Sequence, residues 1–227
     1  MLDTKTGAVR AVNGGRKQTS LLGYNRATDN SRSTGSTIKP VIDYGPAIEY
    51  LNYSTGQTIM DQRTTYSNGV ELNNWDFSHK GAMTLRTALV YSRNTTALQT
   101  FKAVGETNIK SFLNNLDIQI KNDGQDYLVE SNSIGADISP IKMAAAYATF
   151  GNYGTYSKPY TVRKVTTRDG QVTEFKPEQK QAMKDSTAYM ITDVLKDSFK
   201  YGFATQATIP GLPTAAKTGS SNYTVEQ

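Results

Sequence analysis

Apolar and polar residues alternate through "MLDTKTGAVRAVNGG" about a Lys-Thr-Gly turn, and this period of two predicts a β-hairpin at the start of the chain. Residues 16–34 follow as a polar loop. From Ser36 the period lengthens, and the spacing of Ile42, Ala47 and Ile48 predicts a single helix that Ser36 opens. Residues 52–81, rich in Tyr, Ser, Thr, Asn and Asp, read as loop with short strands, and a loop of that length is more often functional than idle. "TLRTALVYS" predicts a short amphipathic helix capped by Thr84 and ending near Ser92, with further helices in "TALQTFKAVG" and "NIKSFLNNL". "SPIKMAAAYATFG" has Ser139 at the N-cap, Pro140 at the first helical position and Gly151 at the close. "YTVRKVTTRDGQVTEF" predicts a hairpin turning at Asp169-Gly170. "STAYMITDVLKDSFKYG" predicts another amphipathic helix, and "TAAKTGSSNYTVEQ" a strand running to the last residue. Strands at both ends with helices between them predict a mixed α/β domain whose sheet is assembled from the two chain termini.

At 227 residues the chain can bury a good core, and it fits one large domain as easily as two. No apolar run approaches the ~20 residues of a membrane span, and "MLDTKTGAVR" lacks the basic-then-apolar pattern of a signal peptide. The absence of cysteine removes thiol nucleophiles, thiolate metal sites and disulfides together, which suits a Gram-positive cell exterior and also many cytosolic proteins. A formal charge of +5 mildly favours an anionic substrate or polymer. The lysines and arginines are scattered, however, so nucleic acid is not an expected partner. The single histidine, His79 in "DFSHKG", reads as an exposed loop residue, and a Ser-His-Asp triad would have to be built around it alone.

"GSTIKP" places Ser36 three residues before Lys39, on one helical face, with Pro40 at the edge of the first turn where a missing N–H costs little. Two readings stand at this point. Ser36 is only an N-cap and Lys39 a solvated charge, or a neutral Lys39 takes the proton of a nucleophilic serine. Two further short patterns bear on the choice, Ser-x-Asn and Lys-Thr-Gly, and every pattern has a decoy. Ser139 and Lys142 repeat Ser-x-x-Lys, Ser220 and Asn222 repeat Ser-x-Asn, and Lys5-Thr6-Gly7 repeats Lys-Thr-Gly. Only Ser36/Lys39, then Ser92/Asn94, then Lys217-Thr218-Gly219 gives all three in order. Ser92 and Asn94 lie where one predicted helix ends and another begins, a place from which side chains project into a cleft.

The ordered set is the signature of penicillin-recognising serine enzymes. "DTKTGAVRAVNGG", "STGSTIKP", "NWDFSHKGAMTLRTALVYSRN", "KMAAAYATFGNYGTY" and "AAKTGSSNY" more narrowly resemble the transpeptidase domain of class A penicillin-binding proteins, the bifunctional cell-wall synthases of Gram-positive type. The likeness covers essentially all of residues 1–227. It implies a β-lactamase-like α/β fold, an antiparallel sheet flanked by helices with an α-helical subdomain. The sheet parts would fall at about 1–34 and 152–227, and the helical part at about 36–151.

The resemblance also implies a chemistry. Ser36 attacks the carbonyl between the last two D-alanines of a peptidoglycan stem peptide and becomes acylated. Lys39 is the base, its pKa lowered by burial and by the nearby cation Lys217. Ser92 relays the proton to the leaving D-alanine, and Asn94 holds the substrate amide. Lys217, Thr218 and Ser220 bind the terminal carboxylate, while Gly219 keeps the path along the strand clear. The backbone N–H groups of Ser36 and Ser220 form the oxyanion hole. No cofactor or metal is implied. The implied partners are donor and acceptor stem peptides and β-lactam antibiotics. The parent protein would be membrane-anchored at the outer face of the cell membrane and preceded by a glycosyltransferase domain. Strands and a C-terminal helix beyond Gln227 would complete the sheet between Val9 and Lys217.

Two rivals share the motifs. A class A β-lactamase needs a deacylating glutamate between Ser-x-Asn and Lys-Thr-Gly. The tempting Glu49 lies in the helix after Ser36 and reads as structural. A penicillin sensor or idle scaffold keeps the same serine and lysine.

Overall fold

In the computed structural model residues 1–16, 21, 23–29 and 31–221 are described; Asn222, from one decoy, and the end of the predicted terminal strand lie outside them. The strands among the described residues are short: β1 (Arg32–Ser33), β2 (Thr58–Asp61), β3 (Thr64–Thr65), β4 (Glu71–Leu72), β5 (Gly81–Thr84), β6 (Asp137–Ile138), β7 (Thr155–Ser157), β8 (Lys164–Thr166), β9 (Val172–Glu174) and β10 (Gln179–Gln181). They pair antiparallel as β1 with β6, β2 with β5, β3 with β4, β7 with β10 and β8 with β9. The first hairpin is reduced to a Leu2–Val9 bridge, and Ala8 bridges in parallel to Tyr160. Asp3 holds its turn by accepting the Lys5 and Thr6 N–H groups, so the Lys5-Thr6-Gly7 decoy has the structural duty its position suggested.

The Ser36/Lys39 motif begins a run of changing helical pitch. Gly35–Ile38 is a 3-10 turn, Pro40–Tyr44 a π turn and α1 (Gly45–Leu51) a regular helix. Pro40 has no N–H to give to the turn before it, and the Gly45 N–H closes back on the Pro40 carbonyl, so the wider turn follows directly. The next helices are α2 (Leu85–Val90), α3 (Asn94–Val104), α4 (Glu106–Asn115), α5 (Pro140–Phe150) and α6 (Asp185–Asp197). Thr84 caps α2 by accepting the Thr87 N–H, and α5 starts at Ser139-Pro140 and stops at Gly151, as the sequence predicts. The β8–β9 hairpin turns at Asp169-Gly170.

Helix α4 buries Ile109, Phe112 and Leu113, and α6 buries Ala188, Ile191, Val194 and Leu195, each on one stripe of helical spacing. These stripes close over Ile38, Ile42 and Tyr44, so the residues after Ser36 sit at the centre of the core. Burying side chains of this size contributes roughly 1.5–3 kcal/mol each. The motif helix is thereby fixed from all sides.

Two expectations are corrected. Residues 214–221 form no ladder; the backbone bond they make runs from the Ala216 N–H to the Leu195 carbonyl at the end of α6. A strand exists only where a neighbour accepts its hydrogen bonds, and among the described residues no pairing joins 1–15 to 214–221. His79 is half-buried rather than exposed, and its Nε2 is enclosed with no hydrogen-bond partner. The polar letters around it misled, because Asp76 and Ser78 are half-buried and hydrogen-bonded, and the Lys80 N–H is held by Asp61.

Candidate active site

All three motifs meet at one cleft of about 670 Å³, lined by Ser36, Ser92, Asn94, Thr218, Gly219 and Ser220, with Trp75 and Phe203 on its rim. Local backbone geometry explains how each arrives. Gly35 has φ +49°, and a Cβ there would stand 2.2 Å from the Ser220 carbonyl oxygen. Only glycine serves at such a position. The Ser220 peptide therefore packs directly on the turn that presents Ser36. The Ser36 N–H lies in a first helical turn, where backbone donors lack helical acceptors. Tyr147 of α5 donates its hydroxyl to the Thr37 carbonyl at 2.7 Å and pins the same turn from behind.

Lys39 is fully buried, which removes the reading of it as a solvated charge. Its Nζ donates to the Ser92 carbonyl at 2.8 Å, the Arg93 carbonyl at 3.2 Å, Asn94 Oδ1 at 2.7 Å and Ser92 Oγ at 3.4 Å. Burial pushes the amine well below the ordinary lysine range; the charge of Lys217 adds to the effect, Asp43 opposes it and Arg93 reinforces it. Asp43, one helical turn further on, is also fully buried with both carboxylate oxygens unpartnered, and burial drives its pKa well above the usual range. Lys217 is 8% exposed; burial brings it down to about 7. Its Nζ donates to Ser92 Oγ at 2.7 Å and to the Thr218 carbonyl at 2.9 Å.

Ser92 is the meeting point. It is held at φ +52°, a left-handed conformation that costs a non-glycine residue roughly 1–2 kcal/mol. In that conformation its oxygen accepts from both lysines, which leaves its own O–H to donate into the cleft.

Three details depart from expectation. Ser36 Oγ makes no hydrogen bond to Lys39 in the structure; the amine reaches across to the Ser-x-Asn segment instead, because four acceptors there enclose it. Catalytic hydrogen bonds of this kind commonly tighten only when substrate is bound. Asn94 has both ends of its amide engaged, Oδ1 by Lys39 and Nδ2 by the Asn73 carbonyl. Gly219 is required by its own protein: a Cβ there would stand 2.8 Å from the Thr37 methyl and 2.9 Å from the Thr34 carbonyl. The obstacle is the turn that carries Ser36, before any substrate is considered.

Glu49 does have a structural task. Its Oε2 accepts the Lys184 N–H and the Thr187 hydroxyl, capping the start of α6. The decoy Lys142 is exposed on α5, away from this cleft. Sequence reasoning missed the group behind Ser92: buried Arg93, Asp61 and Asn74 form a polar assembly with the partly exposed Asp76. The one signal available was the unusual length of the polar stretch 52–81.

The chain is 43% identical over 98% of its length to penicillin-binding protein 1A/1B of Bacillus subtilis and 41% identical over 100% of it to penicillin-binding protein 1A of Streptococcus pneumoniae. It spans 24% and 33% of those two proteins. In fold it is similar to the penicillin-binding protein PonA1 of Mycobacterium tuberculosis, with a TM-score of 0.85 at 23% identity, covering 99% of this chain and 61% of that one. It is also similar to penicillin-binding protein 1A of Haemophilus influenzae, with a TM-score of 0.79 at 22% identity over 97% of this chain and 39% of that one. The match to the penicillin binding protein transpeptidase domain runs over residues 1–227, and the chain belongs to that family.

Proposed function

We propose that the chain is a serine D,D-transpeptidase that cross-links peptidoglycan stem peptides through an acyl-enzyme on Ser36 and is inhibited by β-lactams. The observation that carries this reading is that two buried, pKa-lowered lysines share the Ser92 oxygen beside Ser36 in one cleft. Ser36 Oγ attacks the carbonyl between the terminal D-alanines, and its proton goes to neutral Lys39. The tetrahedral oxyanion sits between the N–H groups of Ser36 and Ser220, the term expected to contribute most. Lys39 returns the proton through Ser92 to the departing D-alanine amine as the peptide bond breaks. An acceptor amine then attacks the ester, forming the cross-link and freeing Ser36. Lys217, Thr218 and Ser220 bind the donor's terminal carboxylate, and Asn94 orients its amide.

The deacylating glutamate of a lactamase has no counterpart in Glu49, which is occupied in capping α6. The full protein is read as membrane-anchored and extracytoplasmic, with a glycosyltransferase domain and with peptidoglycan as donor and acceptor. A mass measurement after incubation with benzylpenicillin tests the reading: a one-to-one adduct on Ser36 that persists supports it, and rapid repeated hydrolysis of the drug overturns it.

A further inference from the structure

The residue between Ser92 and Asn94 has no step in the reaction proposed above, yet Arg93 is only 2% exposed. Taking a guanidinium out of water is costly unless every donor is met. Here each of the three nitrogens has an acceptor. Nε donates to Asp61 Oδ2 at 2.9 Å, Nη1 to Asp76 Oδ2 at 2.9 Å, and Nη2 to the Ser78 carbonyl. A lysine could not reproduce this planar set.

The acids that receive Arg93 are themselves tied to the catalytic segment. Asp61 Oδ1 accepts from the Thr95 hydroxyl at 2.6 Å and from Asn74 Nδ2 at 2.7 Å. Asn74 Oδ1 in turn accepts the Asn94 N–H at 2.7 Å and the Thr95 N–H at 3.3 Å, the first orphan donors of α3. Asp76 also receives the Ser78 N–H and hydroxyl. Its neighbour Trp75 stands edge-on to Phe203 at 5.2 Å on the cleft rim. The Arg93 carbonyl, at the other end of the same residue, accepts from Lys39 Nζ. One residue thus touches the base through its backbone and the 61–78 stretch through its side chain.

This connects to the strained serine beside it. A left-handed non-glycine residue persists only where its surroundings over-determine it. Ser92 has α2 ending on one side, the Ser92 N–H closing on the Leu89 carbonyl, and Arg93 locked on the other. Release of Arg93 would free the backbone to relax, and the hydroxyl would leave its place between the two lysines.

We propose that Arg93, clamped by Asp61 and Asp76, is a positioning residue for acylation: it holds Ser92 in the left-handed conformation that sets its hydroxyl between Lys39 and Lys217. The inference rests on the transpeptidase reading above. Both acids are held below their usual carboxylate range; burial opposes this, and hydrogen bonds with the Arg93 charge outweigh it, so the clamp stays ionised at neutral pH.

The test is the acylation of the full-length protein by a fluorescent penicillin, followed by stopped flow so that the noncovalent constant and the acylation rate separate. Arg93→Lys should lower the acylation rate about 10- to 100-fold in the folded fraction, since a misplacement on the order of 1 Å costs that much. The noncovalent constant should stay within about threefold, because no group that binds the drug is removed. Asp76→Asn, partly exposed and the same size, should fold and lose about tenfold in the same rate. Arg63→Gln, which breaks the exposed pair with Glu71, should acylate as the wild type does. Folded Asp76→Asn acylating within about twofold of wild type, or losing only noncovalent affinity, overturns the inference whatever Arg93→Lys does. A wild-type protein that takes no label on Ser36 overturns the proposed function instead.

Discussion

The chain contains Ser-x-x-Lys twice at the start of a helix, and the two copies end in opposite places. Ser139 heads α5, its carbonyl accepts the Met143 N–H, and Lys142 extends into solvent. Ser36 is instead the second residue of the 3-10 turn, after Gly35, and Lys39 is sealed under the Ser92–Asn94 segment with Lys217 close by. The spacing is the same, so spacing supplies only the possibility of contact. What differs is water. Burial, with the charge of Lys217 beside it, pushes the Lys39 amine well below the ordinary lysine range. The two copies of Lys-Thr-Gly repeat the lesson, Lys5 exposed in a turn and Lys217 8% exposed behind Ser92.

Substitutions made in parallel in the two copies should break the resemblance between them. Ser36→Ala should abolish covalent labelling by fluorescent penicillin, and Ser139→Ala should leave it; labelling of a Ser36→Ala protein would remove Ser36 as the nucleophile. Lys39→Met should slow acylation about 10²- to 10⁴-fold, the range for loss of a general base, while Lys142→Met leaves the rate unchanged. A kinetic comparison of the two variants reads this directly.

The pH profile sharpens the contrast between the two buried amines. On the proposed mechanism Lys39 acts when neutral, so acylation should rise as pH climbs through its lowered pKa. If Lys217 binds the carboxylate when charged, as proposed, the second-order rate constant should fall as pH rises through about 7. A bell with its alkaline limb near neutrality is expected, and a rate still climbing above pH 9 would contradict it. The smallest effect concerns Glu49. Glu49→Gln should cost about 1 kcal/mol of stability through the weakened α6 cap, seen in thermal melts, with no change in how slowly bound penicillin is released.

Much of the fold was legible because its signals are local. Thr84, Ser139-Pro140 and Asp169-Gly170 mark boundaries through chemistry within a few residues, and the structure places them so. The order of the three motifs picked out residues that do meet: Ser36, Ser92 and Thr218 line one cleft, and Lys217 reaches Ser92 Oγ behind it. The pKa depression of Lys39 has the two causes the sequence reading named, burial and Lys217. The rest depends on contacts with no period. The bonds from Arg93 to Asp61 and from Asn94 to Asn74 join residues of a polar stretch to a helix start, and nothing in hydropathy announces them. Gly219 was read toward substrate because the turn at Thr34–Thr37, which it packs against, is distant in sequence. His79 and the unpaired 214–221 segment erred for the same reason, since burial and strand pairing are both properties of neighbours.

Position 92 also has an evolutionary side. At φ +52° glycine or asparagine is the residue the backbone prefers, by roughly 1–2 kcal/mol for glycine. Serine there stands against that conformational preference, and on the proposed mechanism the work of its hydroxyl is what would keep it. In a lineage that no longer needed the reaction, drift at this codon would run downhill in backbone energy, toward glycine, while Lys39 and Arg93, locked in the core, would be slower to change. At the left-handed serine, the proposed activity and the backbone's own stability pull in opposite directions.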